Sequence, residues 1–262
     1  MPELPEVETV VRSLAPHLPG RRIISAEFTS PHVTPGNRNT FAARLAGRVI
    51  QSVRRRGKFI VIALDHGALT VHLGMTGKLL LNADAPGKHA YGIIHLDAGL
   101  LIYDDPRQFG SIAWNANLAH LGPEPLEIGL EEFTKRLRKR KTRMKALLLN
   151  QAFVAGIGNI YADEILHAAR VHPLAIAARL SQPRAALVHQ AMREILTLAI
   201  EHRGSSISDY VDAGGRRGGF QLLHNAYGRE GEPCLRCGAP AKIRKILVAQ
   251  RGTHYCPRCQ RR

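Results

Sequence analysis

All four cysteines of this 262-residue chain fall within its last 29 positions, as "CLRCG" (Cys234, Cys237) and "YCPRCQ" (Cys256, Cys259). Few features constrain a chain's end so tightly. Each C-x-x-C turn offers two thiolates from one side, and a β-hairpin between the pairs would bring four sulfurs to the corners of a tetrahedron, the geometry that Zn²⁺ takes. Two disulfides are the competing reading, disfavoured by a reducing compartment and by the lack of cysteine elsewhere. The C-terminus is therefore expected to hold one structural zinc ion. The same module carries Arg236, Lys242, Arg244, Lys245, Arg251 and Arg258, so the staple also presents a basic surface suited to phosphates.

Basic character runs through the whole chain, with 37 Lys and Arg against 21 Asp and Glu and a formal charge of +16 at pH 7. On a folded protein this points to a polyanionic partner, nucleic acid before membrane. A hydrophobic content of 45% argues against disorder, and the length suits two modest domains or one with an appendage. The longest apolar run of the sheet region, Phe59 to Leu64, is only strand-length, and no membrane contact is expected. The acidic, proline-bearing start "MPELPEVETV" fits neither a secretory signal nor an Arg-rich transit peptide, so a cytoplasmic location is expected.

After Pro5, the residues Val7, Val10, Val11 and Leu14 recur at i, i+3, i+4 and i+7, which predicts an amphipathic helix with proline in its first turn. Glu6 and Glu8 would complement its dipole. From about 23 to 103 the pattern is β-like: "VIQSV", "KFIVIAL", "LTVHL", "KLLL", "YGIIHL" and "LLIY", with "DHG" and "DAG" between several of them as hairpin turns. An antiparallel sandwich or a flattened barrel follows. Beyond Pro123 and Pro125 the pattern turns helical, with "EEFTKRL", "MKALLLNQAFVAG", and a series from Val188 to Ala199 starting near Ser181-Gln-Pro. "KRLRKRKTRMK", from Lys135 to Lys145, holds eight basic residues in eleven; by itself it would be a solvated helix face. It continues into "NQAFVAGIGNIYADEIL", where Gly156 and Gly158 suit a tight turn. Asn159 is expected there as the N-cap of a helix from Ile160, directing its amide and backbone N–H groups toward a phosphate.

Taken in order, "PELPEVE", "RRGKF" at 55–59, "HLGMTG" at 72–77, "DPRQFG" at 105–110, "GIGNIYADEIL" at 156–166 and "RGTHYCPRCQ" resemble the bacterial formamidopyrimidine-DNA glycosylase family along nearly the whole chain. The resemblance implies an α+β fold: an N-terminal β-sandwich with an N-terminal helix at 1–125, a helical helix–two-turn–helix DNA-binding domain at 126–228, and a four-cysteine zinc-finger β-hairpin at 229–262. It implies a monomeric DNA-repair enzyme, a bifunctional glycosylase and AP lyase acting on double-stranded DNA with oxidised bases or abasic sites. Oxidised purines such as 8-oxoguanine and formamidopyrimidines would be excised through a Schiff base on an N-terminal proline, followed by β,δ-elimination.

By the family's motifs the catalytic residues would be Pro2, Glu3, Glu6, Lys58 and Arg251, and the DNA contacts Lys58, His89, Arg107, Asn159 and Arg251. Met75, Arg107 and Phe109 would fill the base stack after the damaged nucleotide is turned out. The glycine-rich stretch Gly204 to Gly219 would be a mobile loop closing over the everted purine. The role of Pro2 has independent support: once Met1 is removed, its α-amino group, with a reference pKa of about 7.7–8.0 against about 10.4 for lysine, carries far more free base at neutral pH. Read alone, Met75 and Phe109 would be core residues, Lys58 a solvated strand lysine and Glu8 a dipole complement. Two departures from the family stand out: Gln108 replaces a frequent second arginine, implying a weaker phosphate contact, and the spacing between cysteine pairs is two residues longer than usual, one added to each hairpin strand. Two alternatives stay open: a sister-family glycosylase for oxidised pyrimidines, which usually has Gly where Leu4 stands, and a zinc protein that binds damaged DNA without catalysis.

Overall fold

Pro5 has no N–H to lose in a first helical turn, and helix α1 (Leu4–Leu14) begins there, with Glu3 as N-cap and Glu6 completing a capping box. The predicted stripe of Val7, Val10, Val11 and Leu14 is buried. The computed structural model describes residues 1–82, 85–207 and 209–261, which divide into two units, 1–118 with 202–221 and 119–201 with 222–261. Ser208 of the glycine-rich stretch and Arg262, the last residue of the finger, lie outside the described residues.

The first unit continues with β1 (Ile23–Phe28), α2 (Arg38–Leu45), β2 (Ile50–Arg56), β3 (Phe59–Leu64), β4 (Ala68–His72), β5 (Lys78–Leu81), β6 (Ala90–Leu96), β7 (Leu100–Asp104) and β8 (Ser111–Trp114). Its strands form two antiparallel four-stranded sheets, ordered β1-β6-β7-β5 and β2-β3-β4-β8. Alternate side chains of β3 and β6 turn inward, as period-two patterning requires. Residues of both sheets, among them Ile60, Val71, Ile94 and Leu101, share one core with α1, which makes the unit a sandwich. Helix α2 has no counterpart in the sequence reading. It buries only Phe41 and Leu45, too few positions to make a period, and is held by an edge-on contact of Phe41 with Phe28, 4.8 Å between ring centroids. Residues 202–221 pack with this unit, and Tyr210 and Ala213 enter its core. There the Ala213 N–H donates to Ser13 Oγ at 3.1 Å, and the Ala213 carbonyl accepts the Leu81 N–H at 3.0 Å.

The second unit holds α3 (Leu130–Arg138), α4 (Met144–Leu149), α5 (Asn159–Ala168), α6 (Gln182–Glu201), β9 (Arg244–Val248) and β10 (Arg251–Tyr255). The basic run is not one helix: α3 stops at Arg138 and α4 starts at Met144. Phe133, Leu148, Phe153, Tyr161, Met192 and Leu196 are buried between its helices. Strands β9 and β10 pair antiparallel with Arg251 opposite Val248, so a two-residue turn joins them, with Ala249 and Gln250 both at positive φ. Among the described residues no helix is long and apolar enough to cross a membrane.

One ion pair ties α4, α5 and the hairpin together. Lys145 Nζ lies 2.7 Å from Asp163 Oδ1 with both side chains fully buried, and it also donates to the Asn159 carbonyl at 2.8 Å. Asp163 Oδ2 accepts the His254 backbone N–H at 2.9 Å. Lys145→Met leaves that carboxylate buried without its cation, and thermal denaturation is expected to show a loss of about 3–5 kcal/mol; an unchanged melting temperature would contradict the assignment.

Candidate active site and nucleic-acid contact residues

Pro2, Glu3 and Glu6 are all buried at the start of α1. Glu6 Oε2 accepts the Glu3 N–H at 2.8 Å, and Oε1 accepts the Ser205 N–H at 2.7 Å. Charge-assisted bonds to backbone groups fix the carboxylate in place and offset its burial. Gly204, at φ +75°, lies so close that a Cβ there would meet Glu6 Oε1 at 2.6 Å, so no larger residue fits. The Tyr210 hydroxyl donates to the Glu6 carbonyl oxygen at 3.1 Å; burial, then the Glu6 charge, pushes this phenol's pKa upward, so it stays a donor. The stretch that the sequence suggested as a mobile loop is thus fastened, in its described residues, to Glu6, Ser13 and Leu81. Glu8 serves elsewhere, 2.9 Å from both Arg12 and Arg55, where it ties α1 to β2.

Lys58 is not a strand residue. It occupies the β2–β3 turn after Gly57, which takes φ +56°, and it is buried. Burial, and then the Lys58 charge, lowers the pKa of His72 to about 4. Neutral at physiological pH, His72 accepts the Gly74 N–H on Nδ1 at 3.1 Å.

Met75 and Phe109 are 41% and 57% exposed, so neither is a core residue. Arg107 is exposed too, its guanidinium carbon 4.5 Å from the Phe109 ring centroid. The loops carrying these three side chains meet at Gly74, where a Cβ would come within 2.4 Å of the Gly110 nitrogen. Gln108 turns the other way, at φ +52°, accepting from Ser30 Oγ and donating to Tyr91 Oη at 3.2 Å. These two bonds make the Gln108 side chain an anchor of its loop. His89 lies next to the same loop, its carbonyl accepting the Asp105 N–H at 3.0 Å.

Asn159 is the first residue of α5, and Gly158, in extended conformation, is the cap. The expected N-cap is thus displaced by one residue, because the Asn159 side chain is used otherwise: Nδ2 donates to the Gly252 carbonyl at 3.0 Å. This seats Asn159 next to the exposed Arg251 at the start of β10. None of the four cysteines is in a disulfide, and their ligand atoms all lie within 4.8 Å of one another. Tetrahedral Zn–S bonds of about 2.3 Å require sulfurs about 3.8 Å apart, and Cys237 and Cys256 Sγ are 3.9 Å apart, so the cluster fits one structural zinc ion. Sequence reasoning missed Asp105, Ser205, Lys145 and Asp163 as organisers of these places. "DPRQFG" and "DEIL" put the two acids in plain view, but nothing marked them as buried acceptors.

The fold and these sites define a class: a DNA-repair glycosylase that joins a β-sandwich to a helix–two-turn–helix domain and a zinc finger. Three family models match consecutive parts of the chain: the formamidopyrimidine-DNA glycosylase N-terminal domain at 1–112, the formamidopyrimidine-DNA glycosylase H2TH domain at 121–211, and the zinc finger found in FPG and IleRS at 231–262. The formamidopyrimidine-DNA glycosylase of Solibacter usitatus is 54% identical over 268 residues, covering 100% of both chains, and that of Desulforamulus reducens is 45% identical over 277 residues, covering 100% of this chain and 99% of its own. Among solved structures, a Lactococcus lactis FPG mutant in complex with Fapy-dG-containing DNA superposes with a TM-score of 0.91 at 40% identity over 100% of both chains. The Lactococcus lactis Fpg bound to abasic-site DNA gives 0.89 at 40% identity, over 99% of this chain and 100% of that one. The chain belongs to the formamidopyrimidine-DNA glycosylase family.

The depressed pKa of His72 sets a pH dependence. Its folded value, about 4, lies below the ordinary 6.5, so the unfolded chain takes up a proton first and the stability His72 contributes is full above about pH 6.5 and lost as pH falls toward 4. The melting temperature is expected to fall over that window, and less steeply in His72→Gln; an identical slope in the variant would contradict the buried neutral histidine.

Proposed function

We propose that this glycosylase excises oxidised purines, 8-oxoguanine and formamidopyrimidines, and then cleaves the strand, with Pro2 as nucleophile. The observation that carries the reading is the buried group at the head of α1, where Glu6 spans the N–H groups of Glu3 and Ser205 directly beside Pro2. Met1 is followed by the small residue Pro2, the sequence context from which an initiator methionine is removed. The freed secondary amine attacks C1′ of the damaged nucleotide, the N-glycosidic bond breaks, and the electrons leave with the base. The resulting iminium acidifies the 2′ hydrogens, so β- and then δ-elimination release the strand ends.

Glu3 acts as the general acid and base, protonating the sugar ring oxygen and later taking the 2′ proton. Glu6 holds the amine in place and stabilises the cationic intermediates. Lys58 and Arg251 support the reaction by binding phosphates at the lesion, and His89, Arg107 and the second N–H of the Asn159 amide extend that grip. Met75, Arg107 and Phe109 fill the gap left by the everted nucleotide, a flexible apolar wedge, a cation for the orphaned base and an aromatic plate. The work divides among 1–125 for chemistry, 126–228 for holding DNA and 229–262 for the metal, with the returning segment 202–221 adding to the first. The protein acts as a monomer in the bacterial cytoplasm, associated with the nucleoid through its substrate. The Lactococcus lactis complex with Fapy-dG DNA favours the purine reading over oxidised pyrimidines, as does Leu4, and the complex with abasic-site DNA supports the lyase step.

Single-turnover excision from duplexes bearing 8-oxoguanine, formamidopyrimidine or an oxidised pyrimidine tests this reading. The purine lesions should be processed fastest, and Glu3→Gln should slow excision by roughly 10²–10⁴-fold. A preference for the pyrimidine lesion, or a Glu3→Gln rate near wild type, would overturn it.

A further inference from the structure

The two loops that carry Met75 and the Arg107–Phe109 pair share a single buried carboxylate. Asp105 is fully buried. Its Oδ1 accepts from Thr76 Oγ1 at 2.6 Å and from the Arg107 N–H at 3.3 Å, and its Oδ2 accepts from the Gly110 N–H at 2.9 Å and the Tyr103 hydroxyl at 3.2 Å. Only the Thr76 bond crosses to the Met75 loop, and it spans 29 residues of sequence. The backbones leave no slack around it: a Cβ at Gly77 or Gly110 would lie 2.5 or 1.8 Å from the Tyr103 hydroxyl oxygen, and one at Gly74 would strike the Phe109 and Gly110 backbone. Burial, then the Asp105 charge, pushes the Tyr103 phenol's pKa upward, which keeps it a donor.

Resting on the reading that these side chains fill the stack, we propose that Asp105 is a positioning residue that locks the two loops into one preformed filler. Met75, Arg107 and Phe109 are thereby held in place before DNA arrives, and the ordering cost is met in folding rather than at binding. Replacing the carboxylate by an amide puts N–H groups where two donors converge and leaves a buried donor unsatisfied. The loops then lose their common anchor while the group at the head of α1 keeps its own bonds.

The test compares Asp105→Asn, Thr76→Val, Met75→Ala and the double variant Thr76→Val/Met75→Ala. Two readouts are used: single-turnover excision from a formamidopyrimidine duplex, and borohydride trapping on single-stranded abasic DNA, where no stack needs filling. Asp105→Asn should slow duplex excision by about tenfold, with a smaller loss in Thr76→Val, while both trap single-stranded abasic DNA at wild-type yield. The double variant should lose less than the product of the two single losses, since part of what Thr76 does is to place Met75. Multiplying losses in the double variant, equal losses on both substrates, or a wild-type duplex rate in Thr76→Val would overturn the lock while Met75→Ala stays impaired. Met75→Ala excising at the wild-type rate would instead overturn the filling reading, and the lock with it. Thr76→Val deletes only one hydroxyl, so it decides the matter even if Asp105→Asn does not fold.

Discussion

A carboxylate shut away from water must find its hydrogen bonds inside the protein, and Glu6 finds them 199 residues apart in one direction and three in the other. That bridge fastens residues 202–221 to the start of α1 and sets the surroundings of Pro2. It also explains the glycine at 204, since any side chain there would displace the Glu6 oxygen. The head of the chain is therefore built from both ends of the first unit, and its geometry depends on a segment that the sequence places far away.

Buried charge is handled the same way at several places. Glu164 accepts the N–H groups of Asn225, Ala226 and Tyr227 at 2.8–2.9 Å, and Asp212 accepts those of Gly214 and Arg216 at 3.0 and 2.8 Å. Burial still pushes the Glu164 pKa upward against those bonds. In each case an acid gathers the backbone of a loop that has no ladder of its own, so an otherwise irregular segment acquires one conformation. Lys145 and Asp163 differ in pairing two fully buried charges, and they do so where three elements meet. A chain with a large excess of cations can spend acids as internal scaffolding and leave its basic surface for a polyanion.

The parts legible in the sequence were those governed by period or spacing. The α1 stripe, strands β2 to β7, the long helix from Gln182 and the two C-x-x-C pairs each repeat a local rule and stand where they were expected, whereas β8 falls outside the stretch read as β-like. Helix α2 was illegible because two buried positions make no period. Lys58 and Asn159 were legible as residues but not in setting: Lys58 sits in a turn set by Gly57, and the Asn159 amide is drawn to Gly252, 93 positions away. Asp105 escaped notice for the same reason, since what makes it an anchor is Thr76 and the closeness of Gly74 to Gly110, and neither is encoded in any local pattern.

In the proposed reaction an N-terminal proline amine performs the chemistry. The most direct measurement is borohydride reduction of the purified protein on an abasic-site duplex, with the covalent adduct located by peptide mass mapping in preparations with and without Met1. One adduct is expected, on Pro2, in the processed protein and none where Met1 is retained. An adduct on Lys58 or another lysine, or equal trapping with Met1 in place, would contradict it.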